Sequence, residues 1–364
     1  MVRNQTRRLM RIINALMFGA IAGSVTLAQS GRVKPFESPT PTPPSRVTTN
    51  RGDYVLTQDA RAVIATRPTI ARESDDETIK VASRLVPIPV SIFEDTRMKK
   101  PLAVEDFELL IDGKGVEIGE LFRASAPIRL AMLFDNSSSV IVARDFEREA
   151  ALRFFERVIR PDRDLAALFS IADFTRLEQP LTNELNLLHR AINSFAQPRG
   201  ATALLDGIVK ATDYLSTASG RRVIVIVSDG EDTYSDPKNT LEEVVKVLHR
   251  SNIQVFVVKT KEFENFKRTG QRGGNANIHA LTAERRMLEI ASQTGGTVYS
   301  PIDERELNDV FKSLSAELSE QYVLAYYPEG ESEASGRYRS IAVNLKNRPG
   351  AVLRSRKGYY VSKN

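Results

Sequence analysis

Two hydrophobic periods share the chain, and the points where one gives way to the other divide it. Between 78 and 122 apolar residues recur at every second position. Val86, Ile88, Val90 and Ile92 alternate with Pro87, Pro89 and Ser91, and Phe107-Glu108-Leu109-Leu110-Ile111 runs through Asp112-Gly113 to Val116-Glu117-Ile118. A period of two predicts strands, and Asp-Gly between two such runs predicts a tight hairpin. Pro87 and Pro89 have no amide hydrogen to donate, which predicts an edge position for their strand.

From Ile128 the pattern changes to unbroken apolar runs separated by helical spacing. Runs at 128–134, 165–171, 223–227 and 253–258 read as strands buried on both faces, 174–181 as a short antiparallel edge and 297–299 as a last short strand. Helical spacing covers 142–159, 183–195, 202–215, 282–294 and 304–318; Thr240-Leu241-Glu242-Glu243 opens a further helix to about 250 with a capping box, and Gly295-Gly296 stops the one before it. Strand and helix in alternation predict an α/β fold, a doubly wound and mostly parallel sheet covered by helices on both faces. After 321 the period of two returns in about three strands: 322–327, the face of Ile341, Val343 and Leu345, and 352–360 beyond the Arg348-Pro349-Gly350 turn. They have no helices to cover them. The expected arrangement is a small β-sandwich in which 321–364 packs with 77–125, flanking an inserted α/β domain at 126–320.

Composition changes the picture mainly at the N-terminus. The 364 residues, 41% apolar and 27% charged, are ordinary for folded protein. Of the formal charge of +5, four units come from Arg3, Arg7, Arg8 and Arg11, which precede Ala28 with no acid among them. The folded remainder is therefore nearly neutral, which argues against a nucleic-acid partner. Those arginines, the apolar stretch 12–27 and the small residues around Ala28 read as a signal peptide over 1–28. Its apolar part is shorter than the roughly 20 residues that span a bilayer, so membrane attachment is expected only through an uncleaved signal, if at all. The protein is expected to be exported, to the periplasm, the cell surface or the medium. Residues 29–76, rich in Pro, Ser and Thr, read as a disordered linker. The absence of cysteine excludes disulfides, thiolate catalysis and Cys-ligated zinc.

The candidate chemistry lies where the first parallel strand ends, in Phe134-Asp135-Asn136-Ser137-Ser138-Ser139. Open α/β sheets hold ligands beyond the C-terminal ends of their strands, and Asp135, Ser137 and Ser139 form a D-x-S-x-S triplet there. Gly200-Ala201-Thr202 adds a hydroxyl just before a helix, and Asp229-Gly230 ends the next long parallel strand. The first and fourth strands of such a sheet are neighbours at the switch point, so Asp135 and Asp229 are expected to meet. Oxygen ligands of this kind suit a hard divalent cation, Mg²⁺ first, with Mn²⁺ or Ca²⁺ as other possibilities.

With these five residues in this order, the chain over 128–318 resembles the von Willebrand factor type A family, whose metal ion-dependent adhesion site uses the same triplet, a distant Thr and a distant Asp. The resemblance implies that Ser137 and Ser139, and often Thr202, bind the ion directly, whereas Asp135 and Asp229 often act through water. The flanks, D-F-E-L-L-I-D-G-K, Y-V-L-A-Y-Y-P and R-S-R-K-G-Y-Y, resemble a bacterial exported subgroup. The expected function is a non-enzymatic protein-interaction module in which a protein partner supplies an acidic residue to the ion.

Two other readings stand beside this one. A Mg²⁺-dependent hydrolase of phosphatase type would want a second acid two residues after Asp135, where Ser137 stands. His189, His249 and His279 form no Ser/His/Asp arrangement with the triplet. A structural domain that needs no metal is the other reading, in which Asp135 only caps its turn. Gly270-Gln271-Arg272-Gly273-Gly274 lacks the G-K-[ST] ending of a phosphate loop and reads as a flexible insertion. Lys261, Lys267, Arg268 and Arg272 make the insertion basic, but Glu262 and Glu264 interleave with them, the pattern of a solvated loop.

Overall fold

The computed structural model describes residues 85–93, 101–123, 126–141, 144–271, 278–328, 336–348 and 350–361. The segments read above as signal peptide and linker lie outside the described residues. The first strands are β1 (Val86–Phe93), β2 (Phe107–Ile111), β3 (Lys114–Val116) and β4 (Glu120–Arg123). Then come β5 (Ile128–Asp135), α1 (Arg144–Val158), β6 (Leu165–Ile171), β7 (Thr175–Thr182), α2 (Leu185–Asn193), α3 (Leu204–Ser216), β8 (Arg221–Ser228), α4 (Leu241–Arg250) and β9 (Ile253–Lys259). The chain continues through α5 (Lys261–Thr269), α6 (Ile278–Thr294), β10 (Val298–Tyr299), α7 (Glu304–Glu320), β11 (Tyr322–Tyr326), β12 (Tyr338–Leu345), β13 (Val352–Ser355) and β14 (Gly358–Tyr360).

The central sheet has the order β10-β9-β8-β5-β6-β7 and is parallel except for β7, which returns antiparallel beside β6. The unbroken apolar run of β5 is explained by burial on both faces. Leu130, Met132 and Phe134 pack on one side with Phe154, Phe155, Phe311 and Leu314. Ala131 and Leu133 pack on the other with Leu204, Ile208, Leu248 and Met287. β5 lies between β8 and β6, with Phe134 in register with Val227 and Asp135 with Ile171. The two strand ends that carry Asp135 and Asp229 are thus adjacent, as the switch-point argument requires. No helix among the described residues is long and apolar enough to cross a membrane.

Two four-stranded antiparallel sheets, β13-β1-β11-β4 and β14-β12-β2-β3, each mix strands from before and after the α/β sheet. Ile88, Val90, Leu109, Ile111, Leu324 and Ile341 share one core between them, a small β-sandwich built from both ends of the folded chain. Asp112 (φ 49°) and Gly113 (φ 75°) both adopt the left-handed backbone that a two-residue hairpin demands.

Three expectations are corrected. β1 is not an edge strand: β11 pairs with 86–90 and β13 with 90–93. Its proline half has a partner on one side only, so Pro87 and Pro89 do not interrupt a second ladder. The segment 352–360 is two strands rather than one, because the chain crosses from one sheet to the other at Arg356, whose side chain is buried. Residues 261–269 are the helix α5 rather than a solvated loop, with Phe263 buried beneath it and Gly270 (φ 69°) closing it. Residues 272–277 of the expected insertion lie outside the described residues.

Candidate metal centre

Asp135, Ser137, Thr202 and Asp229 are all buried at the C-terminal end of the central sheet. The Ser139 side chain lies outside the described residues; its backbone belongs to the short helical turn Ser138–Val140. Asp135 is held on both oxygens. Oδ1 accepts from the Ser137 amide at 2.9 Å and Oδ2 from the Ser228 hydroxyl at 2.6 Å. The Ser228 hydroxyl in turn accepts from the Gly230 amide at 3.0 Å, which ties the β8 turn to the end of β5. Burial pushes the Asp135 carboxyl up to about 6, and the neighbouring charge of Asp229 adds to the shift while bonds from Ser228 and Ser137 oppose it.

The loop that carries Thr202 is stitched to both of its neighbours. Ser138 donates its hydroxyl to the Gly200 carbonyl at 3.1 Å, and the Ala203 amide donates to Ala172 O at 2.8 Å. Gly200 has φ +80°, and a Cβ there would sit 2.3 Å from Asp173 Oδ1, the oxygen that accepts from the Ala201 amide. The left-handed backbone is what favours glycine there. On the far side Thr202 O accepts from the Thr233 and Tyr234 amides, and Thr202 N donates to Thr233 Oγ1 at 3.0 Å. Asp232 Oδ1 accepts from the Leu204 and Leu205 amides and so caps α3. The five sequence-derived positions therefore belong to three loops whose backbones are bonded to one another.

Several residues of the site were missed in the sequence. Asn136 anchors the triplet loop: its amide donates to Ile171 O at 2.7 Å and its Oδ1 accepts from the buried Arg144 guanidinium at 2.5 Å. Ser228 is one residue before the Asp that was noticed, and register alone would have aligned it with Asp135. Lys261 opens α5 after the strand next to β8, and its ammonium lies 3.6 Å from Asp229 Oδ2 and 3.2 Å from Glu231 Oε1. Two further acids face the same region from α1 and α5. Burial raises Glu147 well above the usual carboxylate range, with Glu264 and Asp135 adding to it. Burial likewise pushes Glu264 up to about 8, with the charge of Asp229 next in importance.

Two observations fit a cation. Asp229 Oδ2 is buried without a hydrogen-bond donor, and two ionisable carboxyls adjoin in a dry setting where their charges oppose each other. Among the described residues no three acids or histidines gather closely enough to hold an ion. A metal here would depend on the hydroxyls of Ser137, Ser139 and Thr202 as well as on the two carboxyls. Ile141, which follows the triplet turn, Phe174 between β6 and β7, and Tyr234 in the loop after β8 are 57–65% exposed.

Residues 130–313, half of the chain, match the family model described as von Willebrand factor type A domain. No curated protein matches the sequence. Among solved structures, a von Willebrand factor type A protein from Catenulispora acidiphila is similar at 12% identity and a TM-score of 0.44, over 78% of this chain and 76% of that one. The vWF domain of the type V pili tip protein Mfa5 from Porphyromonas gingivalis is similar at 12% identity and a TM-score of 0.42, over 53% and 96%. The PilB minor pilin from Streptococcus sanguinis is similar at 13% identity and a TM-score of 0.41, over 53% of this chain and 61% of the pilin. This chain thus covers less than two thirds of that pilin's length.

Proposed function

The chain belongs to the von Willebrand factor type A domain family, and from that premise we propose that it is an exported, non-enzymatic interaction module that binds a divalent ion, Mg²⁺ first, at Asp135, Ser137, Ser139, Thr202 and Asp229. The observation that carries the reading is the adjacency of Asp135 and Asp229 on neighbouring strand ends, with Asp229 Oδ2 buried and lacking a donor. Both oxygens of Asp135 already accept hydrogen bonds, which favours contact with the ion through water for that carboxyl. A bound Mg²⁺ keeps waters and offers an exchangeable position, which an acidic side chain of a protein partner can fill. Ile141, Phe174 and Tyr234, on loops that follow β5, β6 and β8, are exposed and are the apolar surface we propose such a partner covers.

The hydrolase alternative is tested alongside, because Glu147 and Glu264 are acids whose carboxyls are raised by burial and by the charges of Asp135 and Asp229. The test is capture from the native envelope on immobilised protein in Mg²⁺, with phosphatase and protease assays run in parallel. Capture abolished by chelator and by Ser137→Ala, with no turnover, is the expected result. Turnover dependent on Asp135, or capture indifferent to chelator, would contradict it.

A further inference from the structure

Lys261 brings an ammonium group to the one part of the paired carboxyls that no donor satisfies. Asp229 has one oxygen occupied by the Glu231 amide at 3.0 Å; the other, Oδ2, is buried and meets the Lys261 ammonium at 3.6 Å, an ion pair just beyond hydrogen-bond length. Lys259, the last residue of β9, is engaged elsewhere, 3.2 Å from Glu262 and 3.8 Å from Glu284. Lys261 thus lies between two carboxylates, donating a hydrogen bond to Glu231 Oε1 at 3.2 Å while its charge also faces Asp229 at 3.6 Å. Its side chain is 29% exposed, so it can turn outward without uncovering the core.

A divalent ion drawn to the Asp229 carboxyl would meet this positive charge within a few ångströms, in surroundings where charges are weakly screened. The ammonium and the ion therefore compete for the same negative charge. We propose that Lys261 is the internal counter-ion of this site: it offsets the charge of Asp229 when no ion is bound, keeps only its bond to Glu231 when a divalent ion binds, and thereby sets how tightly the ion is held. This rests on the metal reading above. It also accounts for a lysine as the first residue of α5, where the helix dipole would favour an acid.

The test is a calorimetric titration of the full chain with Mn²⁺, together with melting curves in chelator. Lys261→Met keeps the alkyl stem and removes the charge. It should bind Mn²⁺ on the order of tenfold more tightly than wild type, and its chelated form should melt at a lower temperature. Lys261→Arg should restore wild-type values in both measurements. Lys267→Met, on the same helix but paired with Glu304 at 2.5 Å, should leave Mn²⁺ affinity unchanged. Lys261→Gln serves as the neutral variant if Lys261→Met does not fold. Wild-type uptake of Mn²⁺ with equal or weaker binding by the neutral variants would overturn the counter-ion role while leaving the metal reading standing. No uptake by wild type would overturn the metal reading and this inference with it.

Discussion

Glu264 shows most plainly what the acids around the site do to the protein in the absence of an ion. Its carboxyl is raised from 4.5 to about 8 by burial and by Asp229, so the folded state holds its proton more tightly than the unfolded chain does. An acid shifted in that direction contributes stability that is complete below about 4.5 and is lost as pH climbs toward 8. Asp135, raised to about 6, acts the same way in a lower window. His249, pulled down to about 4 by burial and then by Arg356, acts oppositely: its contribution is present above 6.5 and lost as pH falls through 4. Between pH 6.5 and 8 the last two have largely finished titrating. Chelated wild type should lose stability across that window, and Glu264→Gln should lose less, by at most about 2 kcal/mol. Melting curves at pH 6.5 and 8 check this, and parallel losses in both proteins would contradict it. Asp135 and Asp229 were legible in the sequence because one apolar run stops abruptly at Asp135 and another stops at Ser228, directly before Asp229. Glu147, Glu264 and Lys261 were not, since helix-borne charges look the same in a sequence whether they face water or a neighbouring strand.

Among the elements, strands buried on both faces were the easiest to recognise, and β6 spans Leu165–Ile171, the run expected for it. β1 was harder because proline signals a missing donor without saying which side of the strand lacks a partner. α5 was obscured by its charge, with Phe263 and Phe266 the main apolar residues in Lys261–Thr269 and only the first of them buried. The double glycine after α6 has a meaning beyond ending the helix. A Cβ on Gly296 would fall 1.9 Å from the Val255 carbonyl oxygen, and one on Gly295, at φ +81°, would fall 2.6 Å from Arg356 N. Backbone atoms of β9 and of the β13–β14 crossing cannot yield as a flexible side chain would. Gly296→Ala should therefore destabilise the protein by about 3 kcal/mol or more, read as a lower urea midpoint. An unchanged midpoint would show that α6 does not pack so closely on β9.

The molecule joins its two sheet systems through buried polar residues as well as through the chain itself. Arg356 donates to Gly358 O at 2.7 Å and His249 O at 3.0 Å and also bonds Asn252, linking the sandwich crossing to the end of α4. His249 stacks on Tyr338 with ring centroids 5.7 Å apart, and Gln321, between α7 and β11, donates to Ser91 Oγ at 2.9 Å. The return of the two-residue period at both ends of the sequence foretold strands without helices, but not which would be neighbours, because pairing depends on register across more than two hundred residues. Metal binding is the claim on which the functional account turns. An ion that binds only the folded state adds about 2.7 kcal/mol at 100 times its dissociation constant, enough to move a melting curve by several degrees. The decisive measurement is the melting temperature of wild type and Asp135→Ala, each in chelator and in saturating Mg²⁺. Wild type should be raised by Mg²⁺ and Asp135→Ala should not, whatever the balance in chelator between the repulsion the variant relieves and the bonds to Ser137 and Ser228 it loses. Equal Mg²⁺ shifts in the two proteins, or none in wild type, would contradict the account.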